Sequence, residues 1–227
     1  MSIQAGTRVG QIATALPLAT RVFARHGIDF CCGGGKTLEE ACKIRGLEAE
    51  EILGEIEQEH LALDDPSKDE SRSWEQAPLA ELIDHILSNY HEPLAEELPR
   101  LEGMARKVAG VHGDRDPEMF KGLLTTFLDL KAELEEHMMK EEQVLFPLIR
   151  HGKGSMTAVP IDMMEADHES AGASLARLRE LADDYRVPED ACNTWRALWH
   201  GLAELEGSLH RHIHLENNIL FPRALAS

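Results

Sequence analysis

Two stretches of the chain are near-copies, HMMKEEQVLFP at residues 137–147 and HIHLENNILFP at residues 212–222. Each places a histidine four residues before a glutamate and closes on Leu-Phe-Pro. On an α-helix, residues so spaced lie about 40° apart around the axis and about 6 Å apart along it, so both side chains leave one face. An imidazole nitrogen beside a carboxylate oxygen is a two-point grip for a metal ion that accepts mixed nitrogen and oxygen ligands. One such pair is commonly just a solvated i,i+4 contact. Its recurrence in matching context is what points to a metal.

The likeness extends upstream, where Asp84-His85 and Asp167-His168 each precede a copy by about one helix. The candidate ligands are therefore His85, His137, Glu141, His168, His212 and Glu216. If the first chain reversal falls near residues 112–116, His85 stands about 40 Å from it and the 137–141 pair about 30–36 Å. In the second hairpin His168 comes out closer to its reversal, near residues 182–189, than His212 does. Four imidazoles and two carboxylates exceed what one tetrahedral zinc takes. Two iron-like ions, each with two histidines and both sharing the glutamates, use the whole set. With an oxo or hydroxo bridge each keeps an open position, which suits chemistry with small diatomic molecules. Ligand type does not separate iron from manganese.

The twelve histidines are not all candidates. His210, His212 and His214 alternate along one helix; the parallel with His137 selects His212, and the other two read as surface residues. His91, His112, His151 and His200 lack a repeat partner and read as surface residues or neighbours of the ligands. Met138, Met139, Met163 and Met164 read as core filler, and the two Phe-Pro pairs as closures of the bundle ends. Cys31-Cys32, followed by three glycines and a helix start, is a further candidate. Thiols near a helix N-terminus tend to ionise, and glycines admit a ligand or partner.

These side chains need long helices to carry them. Apolar residues recur every three or four positions from about residue 79 onward. The pattern gives four long helices: PLAELIDHILSNYHEPLAEELPRLEGMARKVAG, with Pro93 and Pro99 as possible bends; PEMFKGLLTTFLDLKAELEEHMMKEEQVLFPLIR, with Pro117 in its first turn; VPIDMMEADHESAGASLARLRELADDY; and VPEDACNTWRALWHGLAELEGSLHRHIHLENNILFPRAL. Short connections make this an antiparallel four-helix bundle over 79–227. Residues 61–78 have a linker's composition. Residues 1–60 form a small helical domain around IDFCCGGGK, with Thr37 and Glu40 set for a capping box. The fold class is all-α.

At 227 residues and 43% hydrophobic, the chain can bury a full core, and no run reaches the length of a membrane span. Its start shows no secretion signal. A formal charge of −18 repels nucleic acid and favours cations. Four cysteines are too few and too oddly placed for a disulfide scaffold, so reduced thiols in the cytoplasm are expected.

The motif IDFCCGGGKTLEEAC resembles the N-terminal signature of the repair-of-iron-centres (YtfE/ScdA-type) family, and the two repeated phrases resemble that family's hemerythrin-like bundle. The resemblance spans essentially the whole chain. It implies a cytoplasmic, non-haem di-iron protein that helps restore iron-sulfur clusters damaged by nitric oxide or peroxide. The implied partners are damaged iron-sulfur proteins and those small ligands, with no nucleic acid and no membrane, as monomer or homodimer. By position, His85, His137, Glu141, His168, His212 and Glu216 match the family's ligands, and Cys31 and Cys32 its paired cysteines. Glu133 and Asp167 match acidic positions near the metal, although the family usually has the longer Glu at the second. Two rival readings stay open: an enzyme reducing nitric oxide or peroxide, and a binding protein that carries or senses oxygen or nitric oxide.

Overall fold

The computed structural model describes residues 3–61 and 74–227; most of the expected linker, 61–78, lies outside the described residues. The described elements are helical, apart from one isolated bridge between Arg8 and Thr37. The chain forms two compact units, residues 1–83 with 210–227, and residues 84–209.

The first unit contains α1 (Val9–Ala15), α2 (Ala19–Arg25), α3 (Leu38–Arg45) and α4 (Ala49–Leu61). The capping box at the start of α3 forms as expected: Glu40 N–H donates to Thr37 Oγ1 at 3.2 Å, and Thr37 N–H to Glu40 Oε2 at 2.9 Å. Val9, Ile12, Val22, Phe23, Phe30, Leu38, Ile52 and Ile56 build its core.

Two glycines there admit one polar side chain. A Cβ on Gly10 would overlap Asn218 Oδ1, and one on Gly34 would come within 2.7 Å of the same atom. The Asn218 amide donates to the Cys31 carbonyl at 3.3 Å and approaches that of Phe30 at 3.5 Å. The C-terminal segment is also tied to the described end of the linker. Arg223 donates to the carbonyls of Trp74 and Ala77, both at 2.7 Å.

Beyond the linker run α5 (Leu79–Ile86), α6 (Glu92–His112), α7 (Pro117–Lys140), α8 (Phe146–Arg150), α9 (Ala158–Leu181), α10 (Asn193–Leu215) and α11 (Phe221–Leu225). Asp116 caps α7 by accepting from Met119 N–H at 3.0 Å, and Pro117 occupies its first turn. The core of the second unit is a set of stripes at alternating spacings of three and four. These are Leu94, Leu98, Leu101, Ala105 and Val108 on α6, Phe120, Leu123, Phe127, Leu130 and Leu134 on α7, Ala171, Leu175 and Leu178 on α9, and Trp195, Leu198, Leu202, Leu205 and Leu209 on α10. That spacing keeps one face of each helix turned inward. Met138 and Met164 join the interior, whereas Met139 and Met163 are about half exposed. Neighbours on a helix differ by about 100°, so one of each pair must turn outward.

The rods are not uniform. Five-residue π-helical turns occupy Leu87–His91, Glu141–Leu145 and Glu216–Leu220. Each is followed after one residue by a proline, Pro93, Pro147 or Pro222. The residue before each proline donates its N–H five positions back: Glu92 to Leu87, Phe146 to Glu141 and Phe221 to Glu216. A proline inside an α-helix lacks the N–H and collides with the carbonyl four residues earlier, a cost of about 3 kcal/mol. One widened turn relieves the collision without breaking the rod. Pro99, by contrast, sits inside α6 without ending it.

Gly10→Ala tests the glycine cradle. It should displace Asn218 and lower stability by about 1–2 kcal/mol. Adding Asn218→Ala should recover much of that loss, as read by denaturant unfolding of the single and double variants.

Candidate metal centre

The apolar stripes lead directly into the candidate ligands. On α7 the spacing continues from Leu134 to His137 and on to Glu141; on α10 it continues from Leu209 to His212 and Glu216. His168 lies between Met164 and Ala171 on the stripe of α9. Counting back three residues from Leu94 gives His91. All six side chains are buried, both carboxylates completely.

Ligand atoms of His91, Glu141, His212 and Glu216 lie within 4.8 Å of one another, and so do those of His137, Glu141, His168 and Glu216. Glu141 and Glu216 belong to both groups. One oxygen, Glu141 Oε2, is 3.3 Å from His91 Nε2 and 3.3 Å from His137 Nε2. His137 Nε2 and His168 Nε2 approach to 3.1 Å, and His212 Nε2 and Glu216 Oε1 to 2.9 Å. Two ligands held about 2.1 Å from one ion at right angles stand about 3 Å apart, so these spacings suit metal binding. Burying two carboxylates among imidazoles in an apolar interior is costly unless cations neutralise them. The donor set therefore fits a pair of metal ions, each with two histidines, sharing two carboxylates.

The structure brings five of the six sequence candidates together and sets His91 in the sixth place. His85 belongs to neither group: it is half-buried, its ring 5.8 Å from that of Tyr90, and its Nδ1 meets the Asn89 amide at 3.0 Å. Residues six apart on a helix face different ways, and only His91 falls on the core stripe. The height estimate carried the same signal. His91 stands about 34 Å from the reversal, level with the 137–141 pair, where His85 overshoots. The second reversal spans 182–192, between the ends of α9 and α10, and Asp183, Asp184 and Tyr185 take left-handed backbone there.

Of the two acidic neighbours, Asp167 Oδ2 lies 3.4 Å from His137 Nδ1 and 3.3 Å from Lys140 Nζ. Glu133 is exposed and accepts from Ser170 Oγ at 3.2 Å. A further carboxylate, Glu142, meets His91 Nδ1 at 2.9 Å.

His214 is not the surface residue expected from the sequence. It is buried, its ring 5.7 Å from that of Phe30, and burial pushes its pKa down to about 4. The helix has a second buried face because Phe30 of the cysteine loop packs on it. In that loop Cys31 is buried and Cys32 half-buried, their sulfurs 3.8 Å apart and unbridged. Cys31 N–H and Sγ–H both reach Asp29 Oδ1, at 3.1 and 3.3 Å. The expected ionisation is opposed at Cys31. Its hydrogen bond with the Cys32 thiol, then burial, then the Asp29 charge, all push its pKa well above the usual range.

Comparison with known proteins agrees with this architecture. The family described as "Hemerythrin HHE cation binding domain" matches residues 82–224, and ScdA_N, a "Domain of Unknown function (DUF542)", matches residues 5–60. The iron-sulfur cluster repair protein YtfE of Yersinia pseudotuberculosis is 44% identical over 217 residues, covering 96% of both chains. The proteins of the same name from Citrobacter koseri and Escherichia coli are each 44% identical over 218 residues, again with 96% of both chains covered. With both domains matched and the likeness running nearly end to end, the chain belongs to the hemerythrin-like YtfE family.

Proposed function

We propose that this protein repairs iron-sulfur clusters damaged by nitrosative or oxidative stress, using two iron ions held by His91, His137, Glu141, His168, His212 and Glu216. The observation that carries this reading is the shared oxygen Glu141 Oε2, at 3.3 Å from a histidine of each group. A carboxylate so placed is suited to bridge two ions. The relatives, named as iron-sulfur cluster repair proteins over nearly their whole length, supply the reaction class.

In this reading iron is both cargo and reagent: bound in the centre, it supplies redox chemistry toward nitric oxide or peroxide. The protein's own groups do the rest. Glu141 and Glu216 balance the charge, the four Nε2 atoms fix the positions, and the complete burial of both carboxylates keeps water from them. Protons compete with metal for the imidazoles and carboxylates, so acid favours iron release. Cys31 and Cys32, in the small N-terminal domain of residues 1–60, take part in handling iron or nitric oxide, and residues 79–227 supply the metal-binding bundle. The targets are damaged iron-sulfur proteins in the cytoplasm. No helix of the described residues is long and apolar enough to cross a membrane.

Two measurements test this. Reconstituted wild-type protein should hold two iron atoms per chain and restore activity to a hydro-lyase whose cluster nitric oxide has destroyed. Glu141→Ala and His91→Ala should lose iron and fail to restore it, while His85→Ala should behave as wild type. Recovery that is indifferent to Glu141 would sink the proposal. Stripping metal with a chelator should also lower the melting temperature by more than about 5 °C, since ions bound only to the folded state add about 4 kcal/mol at a thousandfold excess over Kd.

A further inference from the structure

His91 is held at both nitrogens by consecutive carboxylates. Its Nε2 lies 3.3 Å from Glu141 Oε2, and its Nδ1 lies 2.9 Å from Glu142 Oε1. The ring is 2% exposed, with the Phe146 ring packed 5.7 Å away. Glu142, in contrast, reaches solvent, its side chain 47% exposed. Both glutamates belong to the π turn Glu141–Leu145.

A neutral imidazole carries one N–H and one lone pair, so it cannot donate to both carboxylates. The shorter contact is the one to Glu142. With the Nδ1 proton given to Glu142, the Nε2 lone pair points toward Glu141 Oε2, and two electron-rich atoms 3.3 Å apart call for a cation between them. We propose that Glu142 is a positioning residue for the metal centre: it fixes the tautomer and ring orientation of His91 and so strengthens binding at one of the two metal positions. The inference rests on the metal-binding reading above and adds a residue outside the ligand set. Asp167 stands in a comparable place behind His137 but at 3.4 Å, and it is shared with Lys140. An outer carboxylate of this kind orients a histidine ligand and raises its basicity.

The test uses the full-length, iron(II)-loaded protein as wild type, Glu142→Ala, Glu142→Gln and, as control, Glu135→Ala, which pairs with Lys131. Competition with a chromogenic iron(II) chelator should show one of the two ions bound about 10- to 100-fold more weakly in Glu142→Ala. Glu142→Gln should recover part of that loss, because its amide oxygen still accepts from Nδ1–H. Proton NMR of the cobalt(II)-loaded proteins supplies a second readout. A hyperfine-shifted His91 N–H resonance, seen in the wild type, should vanish by solvent exchange in the Ala variant and persist in the Gln variant. Equal affinity and unchanged resonances in all four proteins would overturn the role of Glu142 while leaving the metal centre intact. A wild-type chain that binds fewer than two ions would overturn both. Should Glu142→Ala unfold, the iron(II) affinity of Glu142→Gln decides: one ion bound more weakly than in Glu135→Ala supports the role, and equal affinity overturns it.

Discussion

The burial of two carboxylates inside a ring of imidazoles constrains everything around it. Glu141 and Glu216 are fully enclosed, and so nearly are the four histidines beside them. Such a cluster is a net burden on the fold unless positive charge occupies it. The four helices respond by making the metal site a continuation of the core. The candidate ligands take the next three-and-four positions after Leu134, Leu209 and Leu94, so the packing that aligns the leucines also aligns the donors. A change deep in the apolar region, such as at Phe127 or Leu202, would shift ligand positions as well as stability. Metal binding returns the debt by favouring only the folded chain.

The π turns fit the same constraint. Each of the three contains a proposed ligand, His91 at the end of one, Glu141 and Glu216 at the starts of the others. Their cause lies downstream, in prolines that cannot complete an α-helical hydrogen bond. A π turn widens the helix and leaves a carbonyl partner displaced by one position, which re-aims the side chains within it. In the turn after Lys140 this lets neighbouring residues, Glu141 and Glu142, both reach one imidazole. The repeated phrase thus carries both parts of one device, the candidate ligands at the front and the proline that shapes their turn at the back.

Much of this was legible in the sequence because it is local or periodic. The repeat identifies two His-x-x-x-Glu pairs, the three-and-four spacing identifies the helices, and Thr37-x-x-Glu40 announces its own cap. The place of His91 is less legible, because pairing by the upstream Asp-His dipeptide favours His85, whereas a count along the stripe favours His91. The π turns are not legible, because a proline in a helical pattern signals a bend or an end as readily as a widened turn. Burial of His214 depends on a neighbour distant in sequence, Phe30, and the raised pKa of Cys31 on how the loop folds its own near neighbours Cys32 and Asp29 around a buried thiol. No periodicity in either segment carries that information.

The cysteine loop is joined to the last helix through its backbone rather than its thiols. Asn218, two residues beyond Glu216, donates to the Cys31 carbonyl and fills the space left by Gly10 and Gly34. A change of side chain at Cys31 leaves that carbonyl in place, whereas a methyl group on either glycine removes the room for Asn218. Architecture and thiol chemistry are therefore separable by substitution. Cys31→Ser should keep the seating of Asn218, seen as an unchanged proteolysis pattern around residues 28–36, and any loss of repair in that variant belongs to sulfur. If the serine variant instead exposes the loop to protease, the buried thiol is part of the fold, and its absence from a repair assay says nothing about chemistry at the sulfur.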